Sequence, residues 1–227
     1  MVRAVVYVVL WGLLARILVG ISRRQDISAS PGFDGWNRRL SGLFLLVFAP
    51  TFALASCDWL MLLDPLWFST IWGVYHFAGM VEATLAAIIV LGIGLRSAGV
   101  LRGVVTTDHL HDLAKLLLGF SCFWMYLWFS QYMLIWYTNI PEETSYYLVR
   151  MSGPWGPLQV ANLALNWFIP FFALLPRPSK RSQSILIRIA LVVLMGRWLD
   201  LYLMVFPATL GETPVFGLYE LAGVGLL

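Results

Sequence analysis

Residues Phe68–Leu95 read FSTIWGVYHFAGMVEATLAAIIVLGIGL, a run without Lys or Arg in which Glu82 is the one carboxylate and His76 the one imidazole. A helix needs about 20 mainly apolar residues to cross a bilayer, so this run is long enough to span one. Lipid offers the backbone no hydrogen-bond partner, so only helices and closed barrels can cross it. A barrel would show alternating strands of about 10 residues, and this run does not alternate. The stretch therefore predicts a transmembrane helix.

The rest of the chain has the same character. Of its 227 residues, 60% are hydrophobic and 12% charged, and its mean hydropathy is +0.79. A soluble domain carries about 25% charged residues, so the composition excludes a water-soluble globule. Six apolar segments are long enough to span: Val2–Gly20, Leu40–Cys57, Phe68–Leu95, Leu113–Tyr137, Leu158–Leu175 and Ile185–Phe206. A seventh, from Val215 to Leu227, is too short, so we predict an all-α polytopic bundle of six full spans plus a truncated seventh, in one membrane domain over residues 1–227.

The connecting segments alternate in charge. Basic residues gather in the first, third and fifth connections, Arg23–Arg39, Arg96–His111 and Arg177–Arg181, whereas the even connections are mainly acidic. By the positive-inside rule we expect these odd connections to be cytoplasmic. That topology places Met1 outside, yet the first segment does not have the pattern of a signal peptide. We therefore expect an internal fragment of a larger subunit, preceded by further helices.

The charge balance and the cysteines limit the classes of function. The net charge of +3 is explained by membrane topology, so we expect no nucleic-acid partner. Cys57 and Cys122 belong to no CxxC pair or Cys/His cluster, and we interpret them as small buried hydrophobic residues. Neither a disulfide framework nor an iron–sulfur site has ligands here. We therefore expect this chain to bind no metal and no redox cofactor by itself.

Ionisable residues inside a bilayer are expensive, so each needs a partner or a water-filled route. Asp58 is either the mouth of a proton route or part of an interfacial turn, with Asp64 and Pro65 marking a helix start. Glu82 is either a proton relay or a structural hydrogen-bonding group. His76 lies on a different helical face from Glu82, so the two residues are not a ligand pair.

Two further groups extend this set. The segment DHLHDLAK, Asp108–Lys115, opens the fourth span; it is either a proton entry or a helix start that is capped by Thr107 or Asp108 and stabilised by ion pairs. Its His-x-His spacing would need further ligands to bind a metal. Arg197 and Asp200, three residues apart, form either a structural pair or a gated element. The candidate proton route therefore comprises Asp58, Glu82, Asp108, His111, Asp112, Lys115, Arg197 and Asp200.

A quinone contact is the remaining hypothesis from the residues. Gln131 and Tyr132 place polar groups beside aromatic residues near the end of the fourth span, as a quinone headgroup would require. His76 is the third candidate contact. The aromatic belt of a membrane protein explains the same Trp and Tyr residues without a ligand, so both interpretations remain open.

Several motifs together resemble a known family. The sequence is similar to the ActF-like membrane subunits of alternative complex III, which are NrfD-like proteins. The resemblance covers most of the chain and rests on these stretches: DWLMLLDP at 58–65, WFSTIWGVY at 67–75, DHLHDLAKLL at 108–117, FSQYMLIWY at 129–137, NIPEET at 139–144 and RWLDLY at 197–202. His76 departs from the pattern, which has an aromatic residue at this position.

The resemblance implies a place in a respiratory complex of the bacterial inner membrane. Such a subunit is a bundle of about ten helices in a complex that oxidises quinol. It implies haem and iron–sulfur centres on partner subunits, with quinol oxidation assigned to the sister subunit. This chain would then contribute scaffold and either a proton route or a quinone contact. Two alternatives remain, a transporter or channel and a purely structural scaffold. A transporter would require broken helices in two matching halves, and the spans interrupted at Pro50 and Pro170 show no such halves.

Overall fold

The structure, a computed structural model, describes residues 2–28, 32–210, 213–215 and 217. Within this part of the chain it is all-α and has no strand, which confirms the predicted fold class. The α-helices are α1 (Val2–Ser28), α2 (Gly32–Trp59), α3 (Trp72–Ser97), α4 (Thr107–Thr138), α5 (Pro141–Met151), α6 (Trp155–Leu163), α7 (Ile169–Leu174) and α8 (Gln183–Leu210).

Six of these helical segments are long and apolar enough to cross a membrane, which makes this a multi-pass membrane protein. Each overlaps one of the six apolar segments found in the sequence. The fifth span, Trp155–Leu174, is built from α6, a π-helical turn at Ala164–Phe168 and α7. The truncated seventh segment, predicted from Val215 to Leu227, lies almost wholly outside the described residues. The ten-helix subunit stays a prediction.

The first two helices run beyond their apolar segments. Arg23 and Arg24 lie in α1, and Arg38 and Arg39 lie in α2, so the prediction of a continuous loop over these residues was wrong. Arginine is a good helix former, and its long side chain can carry its charge away from lipid. The apolar run therefore marks the part of a helix that lipid covers rather than the whole helix.

Two connections also differ from expectation. The predicted helix start at Asp64–Pro65 was wrong, because a short 3-10 turn at Met61–Leu63 ends there and α3 begins only at Trp72. Asp64 has φ −112° and ψ 85°, and a residue before proline disfavours the helical region. The fourth connection contains α5, which the sequence analysis did not identify. Proline at its first position and two glutamates in its first turn favour a helix start there.

The chain divides into two compact units, which we describe separately: unit 1, Met1–Trp59, and unit 2, Leu60–Leu227. In unit 1, α1 packs against α2 through stacked and tilted aromatic rings, with Trp11 contacting Phe48 at 5.2 Å between centroids. Asp58 ends this unit and accepts hydrogen bonds from Arg3 and from the Tyr7 hydroxyl.

In unit 2, α3 packs against both α4 and α8. His76 meets Met204, and Glu82 meets Arg197, so α3 and α8 run antiparallel. The core has two parts along this axis. We call the first the apolar half, a cluster of the following buried residues: Leu85, Ala86, Ile89, Ile93, Leu110, Ala114, Leu117, Leu174, Leu186, Ile189, Ala190 and Val193. The other part, which we call the polar half, contains the buried charged residues Glu82, Arg150, Arg197 and Asp200.

The fifth span is irregular where it passes the polar half. Its π-helical turn at Ala164–Phe168 leads directly into Pro170, which is buried near the start of α7. Proline cannot donate a backbone hydrogen bond, and a π-helical turn is one way to absorb the disturbance. Pro50, in contrast, lies inside a continuous α2.

Candidate functional site

Three charged side chains form the centre of the polar half. Arg197 Nη2 lies 2.8 Å from Asp200 Oδ2, and Arg197 Nη1 lies 3.9 Å from Glu82 Oε2. Their side chains are at most 6% exposed. Glu82 lies near the middle of α3 and Arg197 near the middle of α8. The expected Arg197–Asp200 pair is therefore present, and it includes Glu82 as a more distant third member.

Asp200 is the most heavily bonded member of this cluster. Its Oδ1 accepts a hydrogen bond from the Tyr75 hydroxyl at 2.8 Å and another from Asn162 Nδ2 at 2.8 Å. Together with Arg197, these donors come from α3, α6 and α8. An ionised carboxylate accepts hydrogen bonds only, and this one is surrounded by donors. Asp200 therefore acts as the fixed anion that joins three helices.

Glu82 is held much more loosely. Among the described residues, neither of its carboxylate oxygens has a hydrogen-bond partner, although the residue is fully buried. Its distance of 3.9 Å to Arg197 is longer than a hydrogen bond. Burying a charge without close partners is costly, so this carboxyl group is more stable when it binds a proton. Because its oxygens accept no hydrogen bond from the described residues, binding or releasing the proton breaks none. Of the two buried carboxyl groups, Glu82 is the one suited to proton transfer.

Two glycines make room for the cluster. A Cβ added at Gly79 of α3 would overlap the guanidinium of Arg197, which is packed against the bare backbone at this point. A Cβ added at Gly196 of α8 would lie 2.9 Å from Asn166 Nδ2. Small residues at such positions allow helices and buried side chains to approach closely in membranes. Neither position could be recognised from the sequence, since neither glycine lies in a motif.

A second row of polar groups supports Asp200. Asn166 Nδ2 donates to Asn162 Oδ1 at 2.6 Å, and the Ser121 hydroxyl donates to the carbonyl oxygen of Asn166. All three residues are fully buried. The sequence analysis missed them as well, although two asparagines four residues apart in an apolar span are a signal for hydrogen bonds between helices.

Arg150 is the fourth buried charge of unit 2, and it lies in the connection between the fourth and fifth spans, where no site residue was predicted. Its Nη2 lies 2.8 Å from Asp64 Oδ2, and the guanidinium lies over the Tyr146 ring at 3.6 Å from the centroid. The residue is 4% exposed. Burial raises the pKa of the Tyr146 phenol, while the charge of Arg150 acts in the opposite direction. Tyr146 is therefore a neutral phenol whose ring stacks against the Arg150 guanidinium.

A small cavity lies between Arg150 and Asp200. Its volume is about 20 Å³, and Gln131 contributes an Nε2 that has no partner within the described part of the chain. One water needs about 10–15 Å³, so the cavity has room for a single molecule. Pockets for small organic ligands measure about 300–1,000 Å³, so no quinone headgroup fits here.

The three candidate quinone contacts do not meet in one pocket. Gln131 lines the small cavity, whereas Tyr132 lines a separate groove of about 270 Å³ beside Trp136 and Tyr147. His76 is engaged elsewhere, with Nδ1 3.0 Å from the Trp72 carbonyl oxygen and Nε2 3.1 Å from Met204 Sδ.

The predicted proton entry lies at the far end of the apolar half. Asp108 is paired with Arg181, and Asp112 lies 2.6 Å from Lys115, with both members of each pair exposed. The predicted cap at Thr107 or Asp108 was wrong. Thr106 caps α4 instead, accepting a hydrogen bond from the His109 amide, while His109 Nδ1 accepts one from the Thr106 amide.

The candidate proton route has members in both units. Asp58 belongs to unit 1. Glu82, Arg197 and Asp200 form the buried cluster, while the acidic and basic residues at the start of α4, including His111, lie beyond the apolar half. The buried residues from Leu85 to Ile93 of α3 alone put about 12 Å of apolar helix between the last two groups.

Within the described residues, no group of three or more His, Cys, Asp and Glu side chains could hold a metal ion. His109, one half of the His-x-His spacing, is used by the cap of α4. No family model matches this sequence, and no curated protein matches it either.

Proposed function

We propose that this chain is an integral membrane subunit of a quinol-oxidising respiratory electron-transfer complex, in which it contributes scaffold and a proton route through Glu82. Two separate lines support the proposal. The resemblance to ActF-like subunits supports the place in a redox complex. The buried charge cluster supports the proton route, because ionisable groups at the centre of a span are retained where a protein uses them.

The observation that carries the proton route is the difference between the two buried carboxyl groups. Asp200 is fixed by Tyr75, Asn162 and Arg197, whereas within the described part of the chain Glu82 has Arg197 at 3.9 Å and the Ser121 hydroxyl nearby, which already donates to Asn166. In this proposal Glu82 takes up and releases the proton. Arg197 pairs with Asp200 throughout and turns one Nη atom towards Glu82 when that carboxyl group is ionised.

The route runs towards the end of the bundle that carries Arg150. From Glu82, polar groups continue through Asp200 and Tyr75 to the cavity that Gln131 and Arg150 line. By the positive-inside rule this end faces the outside of the bacterial inner membrane, and the Arg96–His111 and Arg177–Arg181 connections face the cytoplasm. Haem, iron–sulfur centres and the quinol site belong to partner subunits in this proposal.

Membership of a complex is tested by isolating the tagged protein from its native membrane in mild detergent. We expect haem-containing and iron–sulfur subunits to copurify, as identified by mass spectrometry and by haem and iron staining. A colourless protein recovered without partners would overturn the redox-complex part of the proposal.

The proton route is tested with Glu82→Gln in the purified complex, reconstituted into liposomes. The amide has nearly the same shape and cannot carry the proton, so proton translocation per quinol oxidised should fall clearly. Glu142→Gln is the matched control, because Glu142 is an exposed carboxylate in the first turn of α5. Wild-type turnover and coupling in Glu82→Gln would contradict the relay and favour the scaffold alternative.

A further inference from the structure

Two spaces in unit 2 share one wall. One is the cavity of about 20 Å³ at Asp200. The other, which we call the vestibule, is a more open pocket of about 300 Å³ lined by Asp64, Pro65, Leu66, Trp67, Ser145, Tyr146, Val149, Arg150, Pro207 and Ala208. Both linings contain Tyr146 and Arg150. The stacked Arg150–Tyr146 pair therefore lies between the vestibule and the cavity.

Arg150 is anchored on its inner side by the backbone of α8. Its Nε donates to the carbonyl oxygen of Leu203 at 3.0 Å, and its Nη2 donates to that of Met204 at 3.1 Å. The first of these acceptors is available because of Pro207. In a regular helix the carbonyl of Leu203 would accept from the amide of residue 207, and proline has no such amide. Pro207 thus leaves the Leu203 carbonyl free to accept the hydrogen bond from Arg150.

On its outer side Arg150 forms an ion pair with Asp64, and its Nη1 donates to the carbonyl oxygen of Tyr146 in its own helix at 3.2 Å. Asp64 Oδ2 lies 2.8 Å from Nη2, and the Asp64 side chain is 31% exposed whereas that of Arg150 is 5% exposed. Water in the vestibule can compete for a partly exposed carboxylate, so this is the weaker of the two attachments. The cavity opens only when the hydrogen bonds to Leu203 and Met204 break; the arginine side chain is then long enough to follow Asp64 into the vestibule.

We propose that Arg150 is a gate that opens and closes the one-water cavity at Asp200 to the vestibule, with Asp64 as its outer contact and the Leu203 carbonyl as its inner contact. Its role in proton transfer rests on the proposed function of Glu82. The gate itself concerns only the access of water and small solutes to the cavity. It can therefore be tested without measuring proton transfer, and either proposal can fail alone.

The test is cysteine accessibility in the full chain, purified in detergent, with both native cysteines removed as Cys57→Ser and Cys122→Ser. The reporter is Gln131→Cys in the cavity, and the matched control is Ser145→Cys in the vestibule. A small methanethiosulfonate reagent modifies each cysteine, and the rate is measured with Arg150 present and with Arg150→Ala.

With Arg150 present, we expect the reporter to react slowly and the control quickly. Arg150→Ala should raise the reporter rate about tenfold or more and leave the control rate unchanged, because labelling follows the fraction of molecules with an open cavity. Pro207→Ala is the second variant. It keeps the arginine and restores an amide that competes for the Leu203 carbonyl, so it should also raise the reporter rate, by a smaller factor.

Two results would overturn the gate. One is a reporter that already reacts as fast as Ser145→Cys when Arg150 is present. The other is an unchanged reporter rate in Arg150→Ala. If that variant does not fold, Pro207→Ala decides alone, because proline removal does not disfavour a helix. An unchanged rate there contradicts the gate. If the labelling rates change as expected and Glu82→Gln still shows wild-type coupling, the gate is supported and the proton route is contradicted.

Discussion

The apolar and polar halves of unit 2 are built from the same three helices and held together in different ways. In the apolar half, α3, α4 and α8 meet through aliphatic side chains and through three fully buried alanines, Ala86, Ala114 and Ala190. In the polar half, α3 and α8 meet through Glu82, Arg197 and Asp200, Asn162 of α6 donates a hydrogen bond to Asp200, and α4 joins through the Ser121 hydroxyl.

This difference shows what each half costs to disturb. Lipid tails are as apolar as leucine, so the apolar half gains little from leaving lipid and depends on close packing alone. In the polar half, removal of one charged partner leaves the other charge buried without a partner and without water to solvate it, which destabilises the fold. The polar half should therefore respond far more strongly to single substitutions, and three substitutions test this.

The largest effect is expected for Arg197→Met. Methionine fills a similar volume, but two buried carboxylates lose their cation, and breaking a buried pair costs about 3–5 kcal/mol. The measurement is the unfolding free energy in detergent, from a denaturant titration followed by circular dichroism. Adding Glu82→Gln and Asp200→Asn to the same variant removes the orphaned charges and should recover much of the loss. An unfolding curve of Arg197→Met alone that matches the wild type would contradict the distinction between the halves.

An intermediate effect is expected for Gly79→Ala. The added methyl group overlaps the Arg197 guanidinium, which cannot move without leaving Asp200, and overpacking of this kind costs about 1–3 kcal/mol. Gly92 on the same helix, next to Ile93 of the apolar half, is the matched control. Nothing lies within 4 Å of a Cβ placed there, so Gly92→Ala should be neutral or stabilising, by up to about 1 kcal/mol. Equal unfolding free energies for the two variants would remove the special role given to Gly79.

The smallest effect is expected for Asp112→Asn. This carboxylate pairs with Lys115 at the exposed start of α4, where ion pairs contribute little. We expect no measurable change in the thermal midpoint and no change in proton coupling. A loss of coupling would show that the proton route continues from Glu82 through the apolar half, and would contradict the separation of Asp112 from the buried cluster.

Much of the fold could be predicted from the sequence because lipid imposes a simple requirement. Each spanning helix must carry a long apolar run, so all six spans were predicted. The Arg197–Asp200 contact was also predictable, since residues three apart share a helical face. Helix ends were not predictable in the same way. Arg23 and Arg39 continue helices that the apolar run does not mark.

Contacts between distant segments could not be predicted from the sequence. Arg150 lies in a polar connection, and only the tertiary structure buries it against α8 and Asp64. Gln131 and Tyr132 are neighbours in sequence, yet successive helical positions differ by about 100°, so they line different spaces. Gly79 shows the same limit, because its importance depends on Arg197 and not on its own neighbours.

The Glu82–Arg197 contact also has a consequence for how the protein is made. A ribosome adds about 5–20 residues per second, so the 115 residues between these two positions (197 minus 82) take roughly 6–23 seconds. During this time α3 has left the ribosome while α8 does not yet exist. Until α8 is made, the Glu82 carboxyl group either stays within the insertion machinery or enters the bilayer in its neutral, protonated form. Because of the order of synthesis, the span that carries Arg197 supplies the missing partner of the third span only after that span has been made.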